Sequence, residues 1–179
     1  MVRNTLACFL ALLLAGLPCG VARAAEPVPH AGDALQVIVP ASGYLAALWL
    51  GDEEGRRQFY KSGLTAMSIT YGLKFTFDAK RPNGGGQSFP SGHTAAAFMG
   101  AAFIEERYGW TAGVPAYLAA SYVGWSRVEN KAHHPQDVFA GAAIGILSSC
   151  IFTTCFENGV VMEPVVSDSS VGLQFNISW

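Results

Sequence analysis

The chain has 179 residues, of which 13% are charged and 51% are apolar, and its formal net charge is −2. Charged residues make up about 25% of an average soluble domain, so this deficit favours a membrane protein or an unusually apolar core. The charge balance, together with a sequence that contains no basic run, excludes a nucleic-acid partner. The length is that of one domain.

Residues 1–24 have the organisation of an export signal. Arg3 precedes an apolar run over residues 6–15, and Ala22-Arg23-Ala24 is typical of a cleavage site. The apolar run is short for a membrane span of about 20 residues. We therefore predict a signal peptide, with an uncleaved first membrane helix as the alternative.

Five helices are predicted after this segment, and they form one all-α bundle over residues 25–156. Their expected ranges are 34–50, 58–77, 91–108, 114–125 and 136–154. Asp33 is expected to cap the first helix, and Pro40 to kink it if that helix is continuous. In the fifth helix, Gly141 and Gly145 lie one turn apart and let another helix approach closely.

The tail, residues 157–179, differs from the helical region. Alternate residues from Val171 to Trp179 are apolar, which is the period of a β-strand. This strand either pairs with the segment around residues 159–162 or is disordered. Just before the tail, Cys150 and Cys155 are expected to be two buried thiols without a disulfide between them.

Three polar clusters interrupt the apolar helices and hold most of the cationic and imidazole side chains. The clusters are Lys74 with Arg81-Pro82, then Pro90-Ser91-Gly92-His93, then Ser126-Arg127 with His133 and Asp137. The residue types of all three clusters are those of a phosphate site. Three cations can surround a dianion, namely Lys74, Arg81 and Arg127. The Ser91 hydroxyl and the Gly92 N–H add neutral donors at the positive end of a helix.

The third cluster also contains a candidate nucleophile. His133 and Asp137 are four residues apart, so the carboxylate can hold one ring nitrogen and leave the other to attack phosphorus. His93 lies on a different helix and can act as a general acid. Spacing alone does not decide which histidine is the nucleophile. Only Asp78 and Asp137 supply carboxylates near the clusters, so we predict chemistry without a metal or other cofactor.

In this order and with these spacings, the clusters resemble the signature of the type 2 phosphatidic acid phosphatase family, over residues 74–137. The resemblance implies a helical bundle and a phosphohistidine mechanism. It implies that His133 attacks phosphorus, Asp137 orients it, and His93 protonates the leaving group. Water then cleaves the intermediate. Five residues are implied to bind the phosphoryl oxygens: Lys74, Arg81, Ser91, Gly92 and Arg127.

The resemblance and the composition together predict a phosphatase that hydrolyses phosphomonoester or diphosphate groups of membrane lipids. An exported N-terminus places Arg56-Arg57 on the cytoplasmic side of a bacterial-type inner membrane and all three clusters on the periplasmic side. With Arg107 also on the cytoplasmic side, His133→Ala is expected to abolish phosphate release and Arg107→Ala is not. The alternatives are a soluble periplasmic acid phosphatase, a vanadate-dependent haloperoxidase and a non-catalytic phosphate binder. The sequence leaves the exact substrate and the oligomeric state open.

Overall fold

The structure is a computed structural model that describes residues 29–156 and, for the backbone, residues 160–167 and 170–177. The predicted signal peptide lies outside the described residues. Within residues 29–156, five helices form a bundle, as predicted. They are α1 (Pro29–Trp49), α2 (Glu53–Thr76), α3 (Gly92–Tyr108), α4 (Trp110–Glu129) and α5 (Pro135–Phe152). Two of them are long and apolar enough to cross a membrane, over Ala31–Trp49 and Pro135–Phe152.

Helix α3 occupies the centre of the bundle, where it packs against each of the other four helices. Its small residues make this possible, because alanines such as Ala97 and Ala101 are fully buried beside the larger Phe103 and Ile104. Short side chains let helix backbones approach each other closely. The sequence of α3 therefore fits a helix surrounded on every side.

Helix α5 approaches α3 closely at two glycines. A Cβ atom at Gly141 would lie 2.4 Å from the carbonyl oxygen of Ser91, and one at Gly145 would lie 2.5 Å from that of Ala95. Real Cβ contacts are longer than this, so neither position accepts a side chain without movement of a backbone. This confirms the prediction that Gly141 and Gly145 let another helix come close.

Four helix boundaries lie four or five residues from the predicted ones, and one of them is the start of α4, at Trp110 instead of Val114. Helix α1 begins at Pro29, so Asp33 lies inside the helix and is not its N-cap. Helix α2 begins at Glu53, where the side chain of Asp52 accepts a hydrogen bond from Gly55 N, so most of the expected charged turn is helical. Helix α4 runs to Glu129, which places Arg127 in its last turn and not in a loop.

The connections divide the bundle into two ends. The motif end is where α1, α3 and α5 begin and α2 and α4 finish. The opposite end contains the turn between α1 and α2 and the residues that follow α5. There Arg107 is 6% exposed and its guanidinium binds both carboxylate oxygens of Asp52, at 2.6 and 2.7 Å. It also donates to the carbonyl oxygen of Thr154 at 2.7 Å. Arg107 is therefore a buried structural cation and not a surface charge.

The prediction of two buried thiols is wrong, because Cys150 and Cys155 are both exposed and unpaired. The buried face of α5 contains Gly141 and Gly145. Cys150 is five residues after Gly145, which turns it by roughly 140° away from that face.

The tail forms an antiparallel pair of strands, β1 (Val160–Ser167) and β2 (Ser170–Ile177). Of the two alternatives for the tail, pairing is the one observed.

Candidate functional site

The first two polar clusters meet at the motif end. Lys74 lies in the last turn of α2, is 8% exposed, and donates from Nζ to the carbonyl oxygen of Gln87 at 2.7 Å. A Cβ atom at Gly92 would lie 3.9 Å from Cε of Lys74, which is ordinary contact distance. The lysine of the first cluster is thus packed beside the glycine that begins α3.

Arg81 is held by the glycine-rich loop that follows it. Its Nε donates to the carbonyl oxygen of Gly86 at 3.1 Å, and its backbone N–H donates to Gly85 at 2.6 Å. The turn requires a φ of +90° at Gly84, a conformation that glycine adopts readily. This loop is also joined to the third cluster, because Asn83 N donates to the carbonyl oxygen of Lys131 at 3.1 Å.

His133 and Asp137 form a buried pair at the start of α5. Their side chains are each 2% exposed, and Nδ1 of the imidazole lies 3.7 Å from Oδ2 of the carboxylate. That oxygen accepts hydrogen bonds from Ser88 Oγ at 2.5 Å and from His134 N at 2.9 Å. Asp137 is therefore fixed from two directions beside the imidazole, which stands just beyond hydrogen-bond distance.

The surroundings of His133 keep its ring neutral at physiological pH. Burial lowers the pKa of His133, and the positive charges of Arg81 and Lys74 lower it further, to about 4. The negative charge of Asp137 opposes this shift but does not cancel it. A neutral imidazole has a free electron pair on one ring nitrogen, which is the form that can attack phosphorus.

Ser91 links the second and third clusters and caps α3. Its side chain is fully buried, accepts from Thr94 N at 3.4 Å and shares a hydrogen bond with Thr94 Oγ1 at 2.9 Å. Its backbone N–H donates to the carbonyl oxygen of Asp137 at 2.9 Å. The hydroxyl that the sequence predicts as a phosphate ligand is thus also the N-cap of the helix that carries Gly92 and His93.

Arg127 and His93 share a partner that the sequence analysis did not identify as part of the site. Oδ1 of Asp33 lies 2.6 Å from Nη1 of Arg127 and 3.7 Å from Nε2 of His93. Ser88, which donates to Asp137, was missed as well. Neither residue belongs to the three clusters, and a lone acidic residue near a helix start is usually interpreted as a cap. Helix α1 in fact begins at Pro29, five residues earlier than a cap at Asp33 predicts, which removes that role.

Among residues 29–156, no three His, Cys, Asp or Glu side chains are grouped in a way that could hold a metal ion. The positive charges of Lys74 and Arg81 act on both His93 and His133, and that of Arg127 acts on His93. This arrangement suits a phosphoryl group, whose oxygens are best bound by cationic and N–H donors. Fold and clusters together define a helical bundle with cationic side chains gathered at one end.

The family model of the PAP2 superfamily matches residues 52–160, which is more than half of the chain. The chain belongs to this superfamily. The matched segment begins at the N-cap of α2 and contains all three polar clusters, so the resemblance noted from the motifs is confirmed.

Several relatives are phosphatases by name. Lipid A 1-phosphatase of Porphyromonas gingivalis is 35% identical over 127 residues, which are 64% of this chain and 28% of that protein. Lipid phosphate phosphatase 1 of Arabidopsis thaliana is 43% identical over 77 residues, 35% of this chain and 24% of that protein. Lipid A 1-phosphatase of Rhizobium johnstonii is 37% identical over 92 residues, 48% of this chain and 36% of that protein. The chain thus spans about a third or less of the length of these relatives.

The crystal structure of Aquifex aeolicus LpxE has the same fold. It superposes with a TM-score of 0.60 at 24% sequence identity, over 80% of this chain and 91% of that one. At this level of identity the similarity establishes the fold and nothing finer.

Proposed function

We propose that this chain is a membrane-embedded phosphatase that hydrolyses phosphate groups of lipids through a covalent phosphohistidine at His133. The observation that carries the proposal is the buried pair of His133 and Asp137, in which the imidazole is neutral and lies within the field of Lys74 and Arg81. A neutral nucleophile beside cations can attack a phosphoryl group whose negative charge those cations balance.

In the first step, Nε2 of His133 attacks phosphorus while the bond from phosphorus to the leaving oxygen breaks. His93 donates a proton to that oxygen, so that the lipid leaves as an alcohol or a phosphorylated alcohol. The imidazole becomes positively charged as the P–N bond forms. Asp137 stabilises this charge from the Nδ1 side, and the separation of 3.7 Å shortens to a hydrogen bond when the ring is phosphorylated.

In the second step, a water molecule attacks the phosphohistidine and the P–N bond breaks. His93, now neutral, accepts a proton from that water, which returns both histidines to their starting states. Inorganic phosphate leaves as the product. No oxidant, metal or further reactant enters this balance.

The phosphoryl oxygens are bound by the cationic and neutral donors around the two histidines. Lys74 supplies a point charge, and Arg81 and Arg127 supply planar forks that match two oxygens at once. Gly92 contributes its backbone N–H at the start of α3, where the helix dipole favours an anion. Ser91 holds that turn in place and offers its hydroxyl as a further donor.

The membrane assignment rests on the distribution of charge along the helices. In residues 29–156, every charged side chain lies at one of the two ends. The opposite end contains Asp52, Glu53, Glu54, Arg56, Arg57, Lys61, Glu105, Glu106 and Arg107. The motif end contains Asp33, Lys74, Asp78, Lys80, Arg81, Arg127, Glu129, Lys131 and Asp137. A charge-free layer between two charged ends is what a bilayer requires.

The layer is thinnest at α2, where residues 62–73 carry no charge. At 1.5 Å per residue this segment measures roughly 18 Å, less than the roughly 30 Å of a hydrocarbon core. Lys61 and Lys74 border it, and lysine side chains can extend their charge toward the interface while their stems stay in an apolar layer. The short span of α2 is therefore compatible with insertion.

The surface of the layer is apolar, with aromatic residues near both ends. Helix α5 exposes Phe139, Leu147 and Ile151 by 76%, 61% and 69%. Trp49 and Trp110, exposed by 61% and 65%, mark the opposite end. A soluble protein rarely exposes so many large apolar side chains. This surface favours the membrane over the soluble periplasmic alternative.

The site faces the periplasm if the predicted export signal directs the N-terminus outward. Fractionation tests the membrane part of the proposal: we expect the chain in the membrane pellet after alkaline carbonate extraction, and released only by detergent. Recovery of the intact chain in a detergent-free periplasmic extract would rule out the assignment.

The relatives named above direct the choice of substrates for an activity test. A panel should contain a lipid A 1-phosphate, a phosphatidate, an isoprenoid diphosphate and a soluble phosphomonoester, with phosphate release measured in detergent micelles. We expect release from lipid substrates by the wild-type chain and none by His133→Ala. His134→Ala is the matched control, because the His134 ring lies 3.3 Å from the carbonyl oxygen of Lys80 and has no role in the proposed reaction. Equal release by His133→Ala and the wild type would refute the proposal.

A further inference from the structure

Asp33 joins two residues of the proposed site from a helix outside the three motifs. Its Oδ1 lies 2.6 Å from Nη1 of Arg127 and 3.7 Å from Nε2 of His93, so one carboxylate oxygen serves both side chains. Arg127 is only 7% exposed, whereas the side chain of Asp33 is 47% exposed. The contact therefore ties a buried guanidinium on α4 to an accessible carboxylate on α1.

The contact is part of a close fit between α1 and α4. A Cβ atom at Gly32 would lie 2.2 Å from Oγ of Ser126 and 2.8 Å from Nη2 of Arg127. The backbone next to Asp33 is thus pressed against the last turn of α4. This packing gives the carboxylate a defined position, which a freely exposed aspartate does not have.

The charges that face His93 come from four parts of the fold. Lys74 on α2, Arg81 in the loop after α2 and Arg127 on α4 are positive, and Asp33 on α1 is negative. Burial and the three nearby cations lower the pKa of His93, and the carboxylate of Asp33 raises it without cancelling that shift. Within the described part of the chain, Asp33 is therefore the group that opposes the cations at His93.

We propose that Asp33 is a positioning residue that fixes the guanidinium of Arg127 and favours the protonated form of His93 through Nε2. The inference rests on the proposed function, in which His93 is the general acid. A protonated imidazole carries a hydrogen on each ring nitrogen. With Nε2 directed at Asp33, the Nδ1 proton is the one transferred to the leaving oxygen. Asp33 itself touches neither phosphorus nor the leaving group.

The test compares the wild-type chain with Asp33→Asn, Asp33→Glu and the control Glu129→Gln in detergent micelles. Glu129 is an exposed residue at the end of α4, so its substitution changes net charge at the same end of the bundle. The first readout is the pH titration of the His93 ring, followed by NMR in chains with labelled histidine and assigned with His93→Gln. The second is the pH dependence of kcat for phosphate release.

We expect Asp33→Asn to move the midpoint of the His93 titration, and that of the alkaline limb of the kcat profile, to about tenfold higher proton concentration. Asp33→Glu is expected to reverse at least half of this shift. Glu129→Gln is expected to leave both unchanged. If Asp33 served folding alone, Asp33→Asn would lower the amount of active enzyme without moving the midpoint of the His93 titration or of the kcat profile. Unchanged titration in Asp33→Asn would overturn the inference. If the wild type released no phosphate, the proposed function would fail, and the NMR arm would still decide the coupling of Asp33 to His93.

Discussion

The guanidinium of Arg107 binds both oxygens of the Asp52 carboxylate, 55 positions earlier in the chain, at the end of the bundle away from the motifs. Tyr108 donates to the same carboxylate at 3.2 Å, and the Arg107 carbonyl accepts from Phe156 N at 2.8 Å. Burial alone raises the pKa of Asp52, but the hydrogen bonds from Arg107 and Gly55 N outweigh it and hold the pKa below its usual range. This pair joins the start of α2, the end of α3 and the segment after α5.

Arg107→Ala is expected to destabilise the fold by about 3–5 kcal/mol, because it leaves the Asp52 carboxylate buried without its cation. Thermal unfolding in detergent measures the effect. The matched control is Arg57→Ala, since Arg57 pairs with Glu54 on the surface and such pairs contribute about 0–1 kcal/mol. The double variant Asp52→Asn with Arg107→Leu is expected to recover part of the loss. Equal unfolding temperatures for Arg107→Ala and Arg57→Ala would show that the buried pair does not hold this end together.

Helix contact at Gly141 positions the third cluster against the second. A Cβ atom there would lie 2.4 Å from the Ser91 carbonyl oxygen. Gly141→Ala is expected to cost about 1–3 kcal/mol through overpacking and to lower kcat, because it separates α5 from the N-cap of α3. Gly72→Ala on α2 is the control, since nothing lies within 4 Å of a Cβ atom there. That substitution is expected to stabilise by roughly 0.5–1 kcal/mol. Unchanged stability and unchanged kcat in Gly141→Ala would show that neither depends on the close contact between α3 and α5.

Asp137→Asn is expected to lower kcat by about 10³- to 10⁴-fold with little change in KM, as for the orienting aspartate of a catalytic triad. The amide removes the negative charge that stabilises a positively charged His133. Ser88→Ala keeps the charge and removes one of the two hydrogen bonds to Oδ2, so a smaller loss is expected. Steady-state kinetics on one lipid phosphate separates the two. A fall in affinity with kcat unchanged would assign Asp137 to substrate binding.

The low pKa of His133 predicts a direct pH effect. The ring titrates at about 4 in the folded chain, against 6.5 for an unperturbed histidine. Between these values the unfolded chain binds more protons at this residue, so folding stability falls as the pH is lowered from 6.5 to 4. NMR titration of the His133 ring measures its pKa, and Lys74→Gln is expected to raise it by removing a cation. A wild-type value near 6.5 would show that the ring is not held neutral by its surroundings.

The sequence predicted the parts of the molecule that depend on local patterns. Apolar segments located five helices, and Gly141 with Gly145 predicted the close packing of α5. The joint spacing of the three clusters was sufficient to identify the superfamily. Each of these features is visible in the sequence without knowing which helices become neighbours.

The features that were missed depend on which elements become neighbours. The partner of Arg107 is 55 residues away, and that of Arg127 is 94 residues away on a helix outside the motifs. Asp33 was placed at a helix start because an acidic residue there is normally a cap, and the helix in fact begins at Pro29. Likewise, Cys150 is exposed because a different face of α5, the one with Gly141 and Gly145, packs on α3. A sequence pattern predicts that a face is buried but not which helix covers it.

The central claim is that His133 carries the phosphoryl group, and trapping the intermediate tests it most directly. The wild-type chain and His93→Gln are mixed with a ³²P-labelled phosphomonoester that has a good leaving group, quenched in alkaline denaturant and mapped by peptide mass spectrometry. We expect an alkali-stable, acid-labile label on the peptide containing His133, with more label in His93→Gln because hydrolysis of the intermediate is slowed. His133→Asn is expected to carry none. A label on His93, or phosphate release by His133→Asn at the wild-type rate, would contradict the account.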